Sequence, residues 1–84
     1  MLTEYVQAAM RRAKFKDLGE GEGYFGRITG FRGVWANASS LNTCRTELRE
    51  VLESWMLVRV RLGLSLPVID GINLNLKKQR RKVA

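Results

Sequence analysis

Eight carboxylates, one thiol and no histidine make up the acid-base and metal-binding repertoire of this 84-residue chain. The acids are Glu4, Asp17, Glu20, Glu22, Glu47, Glu50, Glu53 and Asp70. A two-metal nuclease gathers several carboxylates around a pair of divalent ions. Here Glu20 and Glu22 fall in a glycine-rich turn and Glu50 and Glu53 on the polar side of a helix, so their spacing brings nothing together. Solvated surface charge is the expected role, and no catalytic residue or metal site is assigned. The lack of His removes the commonest metal ligand and the usual acid-base group near neutral pH. Cys44 has no partner for an internal disulfide, and Arg45 projects from a different side of a helix, so the thiol reads as core filler. Gly21, Gly23 and Gly26 spell GxGxxG, but the dinucleotide-binding form of that pattern joins a strand to a helix. These glycines precede a strand and are interleaved with acids that repel phosphate, which makes them turn residues.

Charge points to a different chemistry. Of the net +7, Lys77, Lys78, Arg80, Arg81 and Lys82 supply five, leaving +2 for everything before them. Such a cluster neutralises phosphates without reading sequence, so nucleic acid is a candidate ligand of this tail. The tail lacks the apolar periodicity of a helix-turn-helix. With 45% hydrophobic residues and a single Pro the rest is globular. No apolar run reaches the ~18 residues of a membrane span, and no signal-peptide pattern opens the chain, so a cytoplasmic protein is expected. The division expected is one domain over residues 1–76 and a basic tail over 77–84.

The elements follow from periodicity and punctuation. Leu2, Tyr5, Val6, Ala9, Met10 and Ala13 recur at helical spacing, with Thr3 as a candidate N-cap. Lys14 to Leu18, Tyr24 to Thr29 and Val34 to Ala38 read as three antiparallel strands, joined by the GEGEG turn and by a short loop between Gly30 and Gly33. Ser40 is placed to cap a long helix that Gly63 ends. Ile72, Leu74 and Leu76 alternate with asparagines as a fourth, C-terminal strand. The fold class is α+β in the order αβββαβ, a three-stranded antiparallel sheet plus the C-terminal strand packed on one long helix.

That helix carries more information than its existence. Leu41, Cys44, Leu48, Val51, Leu52, Trp55, Val58 and Leu62 share one face on a 100° projection. After Trp55, however, apolar residues point in every direction. The helix would be roughly 33 Å long, against a sheet only about 15–19 Å across. The overhang needs another surface, and a homo-oligomer, dimer or tetramer, through Tyr5, Met10, Met56, Leu57 and Val60 is expected; the alternative is that the first helix folds over it. Trp35 and Trp55 read as core aromatics. Phe31, Arg32 and Trp35 flank the short glycine loop, a place from which an aromatic edge can meet a partner.

AKFKDL, then GYFGRITGFRGVWANASSLNTCRTELREVLESW, then LSLPVIDGINLNL resembles, in order and spacing, the small HicB-like antitoxin domain of bacterial type II toxin-antitoxin systems. The corresponding parts are Phe15 in the first strand, Tyr24 and Phe25 in the second, the Gly30 to Gly33 loop, and the helix-capping Ser40. The resemblance implies a partial ribonuclease-H-like fold without nuclease activity or cofactor. It implies a HicA-like toxin as partner, a small basic ribonuclease that cleaves messenger RNA, and inhibition by masking it. Longer members add a C-terminal DNA-binding domain, whereas this chain has the short form with the basic tail. The alternative is a small basic oligomeric accessory protein that associates with nucleic acid through Lys77 to Lys82.

Overall fold

A computed structural model describes residues 2–75; the basic tail and the end of the expected fourth strand at Leu76 lie outside the described residues. The elements are α1 (Leu2–Arg11), β1 (Ala13–Asp17), β2 (Tyr24–Ile28), β3 (Trp35–Ala38) and α2 (Leu41–Arg61). The strands form an antiparallel sheet in the order β1-β2-β3. One face of the sheet carries α2.

The close approach of α2 is set by three small residues. Gly26 on β2 pairs with Ala36 on β3, and Cys44 lies above them, its thiol donating to the carbonyls of Tyr24 and Ala36 at 3.6 Å. A Cβ on Gly26 would stand 2.7 Å from the Phe15 ring and 3.2 Å from Cys44 Sγ. A side chain larger than hydrogen would have to displace the Phe15 ring and press on the Cys44 thiol. Around this point Ile28, Val34, Leu48 and Leu52 are buried and fill the sheet-helix layer.

Both ends of α2 are specified locally. Ser40, in extended conformation, accepts the Thr43 N–H at 3.1 Å. At the other end Gly63 adopts φ +73°, and the Gly63 and Leu64 N–H groups return to Val60 and Arg59 at 3.1 and 2.8 Å. This is the paired 5→2 and 6→1 bonding of a Schellman stop.

Several expectations are corrected. The buried stripe of α2 is Cys44, Leu48, Leu52 and Met56, while Val58 and Leu62 are more than half exposed. A straight-helix projection assumes one supporting surface. Here the sheet supports the first half, and α1 with the returning chain lies along the second, so the buried stripe winds toward Met56. α1 starts at Leu2, placing Thr3 inside the helix. Leu2 of its projected stripe is exposed, and Ala8 is buried instead. Trp35 is 55% exposed rather than core, because β3 turns Ala36 inward and alternation sends Trp35 out.

No fourth strand joins the sheet among the described residues. Asp70 (φ +50°) and Gly71 (φ +78°) make a two-residue turn, closed by Ile69 N–H to Ile72 C=O at 3.2 Å and Ile72 N–H to Ile69 C=O at 2.7 Å. Two successive positive φ values are the type I′ geometry that Asp-Gly favours. Asn75 then accepts the Leu66 N–H at 2.6 Å and donates to the Leu66 carbonyl at 3.0 Å. The segment pairs with itself rather than with the sheet. Leu66 and Ile69 are buried in the core, the Tyr5 hydroxyl donates to the Pro67 carbonyl, and Arg12 and Arg11 hold Asp70 at 2.9 and 3.3 Å.

Candidate functional site

Among the described residues, no three of His, Cys, Asp and Glu gather to hold a metal ion. Asp17 accepts the Gly19 N–H at 2.9 Å and shapes the turn after β1. The hydrogen bonds from Arg12 and then Arg11 hold the Asp70 carboxyl below the usual carboxylate range. The sign follows: this contribution to folding is present near neutral pH and fades as pH falls through the lowered value. Gly21 and Gly23 take φ of +78° and +89° in the turn that leads into β2.

Cys44 is fully buried. Burial first, and the nearby Glu47 carboxylate second, push its thiol up, away from the reactive thiolate. Alkylation of the native protein at neutral pH is therefore expected to run at least ~100-fold slower than in denaturant. Rapid labelling of the folded chain, followed by mass spectrometry, would contradict this placement.

What remains is a set of surfaces. The first is a groove of about 1260 Å³ between α1, α2 from Arg45 to Val60 and the returning chain, where Leu2, Val6, Met10, Leu57, Val60 and Leu64 are flanked by Arg11, Arg45, Arg49 and Glu53. Of the residues expected at an oligomer contact, Met10 is half-buried, and Leu57 and Val60 are 59% and 56% exposed. Tyr5 and Met56 are inside the chain's own core. The first helix thus covers the base of the overhang at Met56, and the outer residues stay open.

The second is a shallow hollow on α2 lined by Glu47, Glu50, Val51, Ser54, Trp55 and Val58. Its floor is Trp55, half-buried, with its ring 5.2 Å from Phe31 and the Arg59 guanidinium 4.9 Å from its centroid. Sequence reasoning saw these acids only as a solvated face. The one signal that could have marked the hollow is their alternation with Val51, Trp55 and Val58 at helical spacing.

The three residues expected at a partner surface separate. Gly30 and Gly33, at φ +90° and +86°, fold the connection so that Phe31 is buried against Tyr5 and Trp55. Arg32 stays exposed in that turn. Trp35 stands on the outer sheet face, stacked on Phe25 at 5.9 Å.

Comparison with known proteins fits this architecture. Residues 4–67 match the model of the UPF0150-like family. The crystal structure of TTHA0281 from Thermus thermophilus superposes with a TM-score of 0.83 at 34% identity, covering 92% of this chain and 95% of that one. No curated protein matches the chain. With the family pattern running from α1 into the returning segment, and a solved relative alike over almost its whole length, the chain belongs to the UPF0150-like family, the HicB-like antitoxin family that its sequence resembles.

Proposed function

We propose that the chain is a non-catalytic HicB-like antitoxin that binds a HicA-like toxin and masks its RNA-cleaving surface. The observation that carries this reading is the family match over residues 4–67. A protein that works by covering another needs complementary surface rather than reacting groups. HicA-like toxins are usually basic, and the α2 hollow offers Glu47 and Glu50 beside the apolar Val51, Trp55 and Val58. Two carboxylates at the rim steer a cationic partner, and the half-buried tryptophan supplies the kind of aromatic anchor on which interface energy concentrates. The net +7 of the chain does not oppose this, because five of its charges are in the tail.

A second copy fits the groove between α1 and α2, where Leu57, Val60 and Leu64 are exposed together. An isologous pairing there would bury the α2 overhang of both copies. It leaves the α2 hollow on the outside of each.

Expression of a HicA-like toxin from the same cell, with and without this chain, tests the antitoxin reading. Growth is expected to be arrested by the toxin alone and restored by co-expression. Glu47→Lys with Glu50→Lys should weaken the rescue at unchanged protein abundance. Arrest that persists despite abundant folded wild-type chain would remove the proposal.

A further inference from the structure

The sheet has two faces, and among the described residues only one is covered. Positions Lys14 and Lys16 of β1, Phe25 and Arg27 of β2, and Trp35 and Asn37 of β3 alternate with the residues packed toward α2. The strand register sets them in two rows across the sheet: Lys14, Arg27 and Trp35 in one, Lys16, Phe25 and Asn37 in the other. Phe25 is half-buried, and the other five are exposed. Phe25 and Trp35 are diagonal neighbours, stacked with 27° between their planes, yet Trp35 keeps 55% of its surface open. None of the six is acidic.

We infer that this outer face is a binding platform for single-stranded nucleic acid. A base has a flat apolar face and carries an anionic phosphate within a few ångströms, and the platform offers both complements. Bases stack on exposed sheet aromatics, and cations on the adjacent strand neutralise the backbone. Neighbouring strands are about 4.8 Å apart, so Lys14 and Lys16 on β1 lie one strand from Phe25 and two from Trp35, while Arg27 shares β2 with Phe25 and pairs with Trp35 on β3. Asn37 adds an amide that can donate to and accept from base edges. Duplex hides the base faces that the rings would take, so single strands are the form that fits.

Charge argues against the other occupants. A second copy presenting the same face would set three cations against three, and a basic toxin would meet the same repulsion. The platform consists of residues other than those of the tail: it is built by side chains on three paired strands, so its binding depends on a particular aromatic residue. Binding by the tail depends on charge alone.

The test uses the full chain, whose tail contributes equally to every variant. Fluorescence anisotropy with labelled twelve-nucleotide oligo(U) and oligo(dT), and with a twelve-base-pair duplex, reads the affinity at two or more salt concentrations. Single strands should bind more tightly than duplex. Trp35→Ala should weaken single-strand binding roughly 5- to 150-fold, as loss of one stacking platform does, while Trp35→Phe, which keeps an aromatic face, retains most of it. Lys14→Gln with Lys16→Gln should flatten the log-affinity against log-salt slope by about 0.7 per lost contact on a single strand. Circular dichroism confirms that each variant is folded.

Three results would overturn the inference. Affinity unchanged by Trp35→Ala would assign all binding to the tail. Trp35-dependent sedimentation with vesicles of phosphatidylserine and phosphatidylcholine, without Trp35-dependent oligonucleotide binding, would assign the face to lipid. A mass change on Trp35→Ala in light scattering, again without an effect on oligonucleotides, would assign it to a second copy. Failure of toxin neutralisation leaves this result untouched, since the face is opposite α2 and is read with oligonucleotides alone.

Discussion

Leu57→Glu combined with Val60→Glu is expected to convert an assembled protein into a folded 9.6 kDa monomer. Both side chains are more than half exposed in the single chain, so a charge at either position meets water when the chain is alone and a dry apolar surface when it is paired. Burying an aliphatic side chain contributes about 1.5–3 kcal/mol, and an isologous contact counts each substitution twice. Loss of that contribution, with the added cost of an unpaired buried charge, should raise the dissociation constant by roughly three orders of magnitude or more. Light scattering after size exclusion measures the mass, and circular dichroism checks the fold. Met56→Glu is the informative contrast. Met56 is 5% exposed within the chain's own core, so its replacement should unfold the protein rather than dissociate it. A wild-type chain that is monomeric at micromolar concentration would contradict the pairing.

Leu52→Ala is expected to cost about 2–5 kcal/mol of folding free energy, the range for truncating a fully buried leucine. Leu52 is fully buried on the stripe of α2 that faces the core. For a chain of this length, total stability is of order 4–13 kcal/mol, so this one change removes a large share of it. Leu18→Ala, on a 39% exposed leucine just after β1, should change stability by less than about 0.5 kcal/mol. Urea titrations of the two variants make the comparison. Similar midpoints for both would mean that α2 does not pack as described.

The parts legible in the sequence were those fixed by local chemistry. Ser40 before a long apolar-periodic run and Gly63 after it mark the helix ends, because capping hydrogen bonds involve only residues within a turn. The three strands were legible for the same reason, being short alternating runs bounded by glycines. Side-chain direction was less legible. Trp35 is outward because Gly26, Ala36 and Cys44 must face one another where the helix meets the sheet. That parity follows once Gly26 is recognised as a contact point instead of a turn residue. Phe31 turns inward because two left-handed glycines rotate the loop that carries it.

The returning chain departs from its strand-like pattern for a more instructive reason. Ile72, Asn73 and Leu74 do alternate like a strand, but Asp70-Gly71 is itself a tight-turn signal, and a turn there pairs Ile72 with Ile69 before the sheet edge is reached. Local closure won over alternation. The charge pattern of α2 was visible, but its use was not. Whether Glu47 and Glu50 rim an apolar hollow depends on the loop that brings Phe31 against Trp55, which only the folded chain shows.

The most direct measurement is inhibition of RNA cleavage. A purified HicA-like toxin from the same cell is incubated with a messenger RNA while this chain is titrated in. Masking by a folded antitoxin should end cleavage at a fixed stoichiometric ratio, with the chain degrading no RNA itself. Glu47→Lys with Glu50→Lys should shift the titration to higher concentration. Undiminished cleavage at a large excess of folded wild-type chain would contradict the antitoxin function.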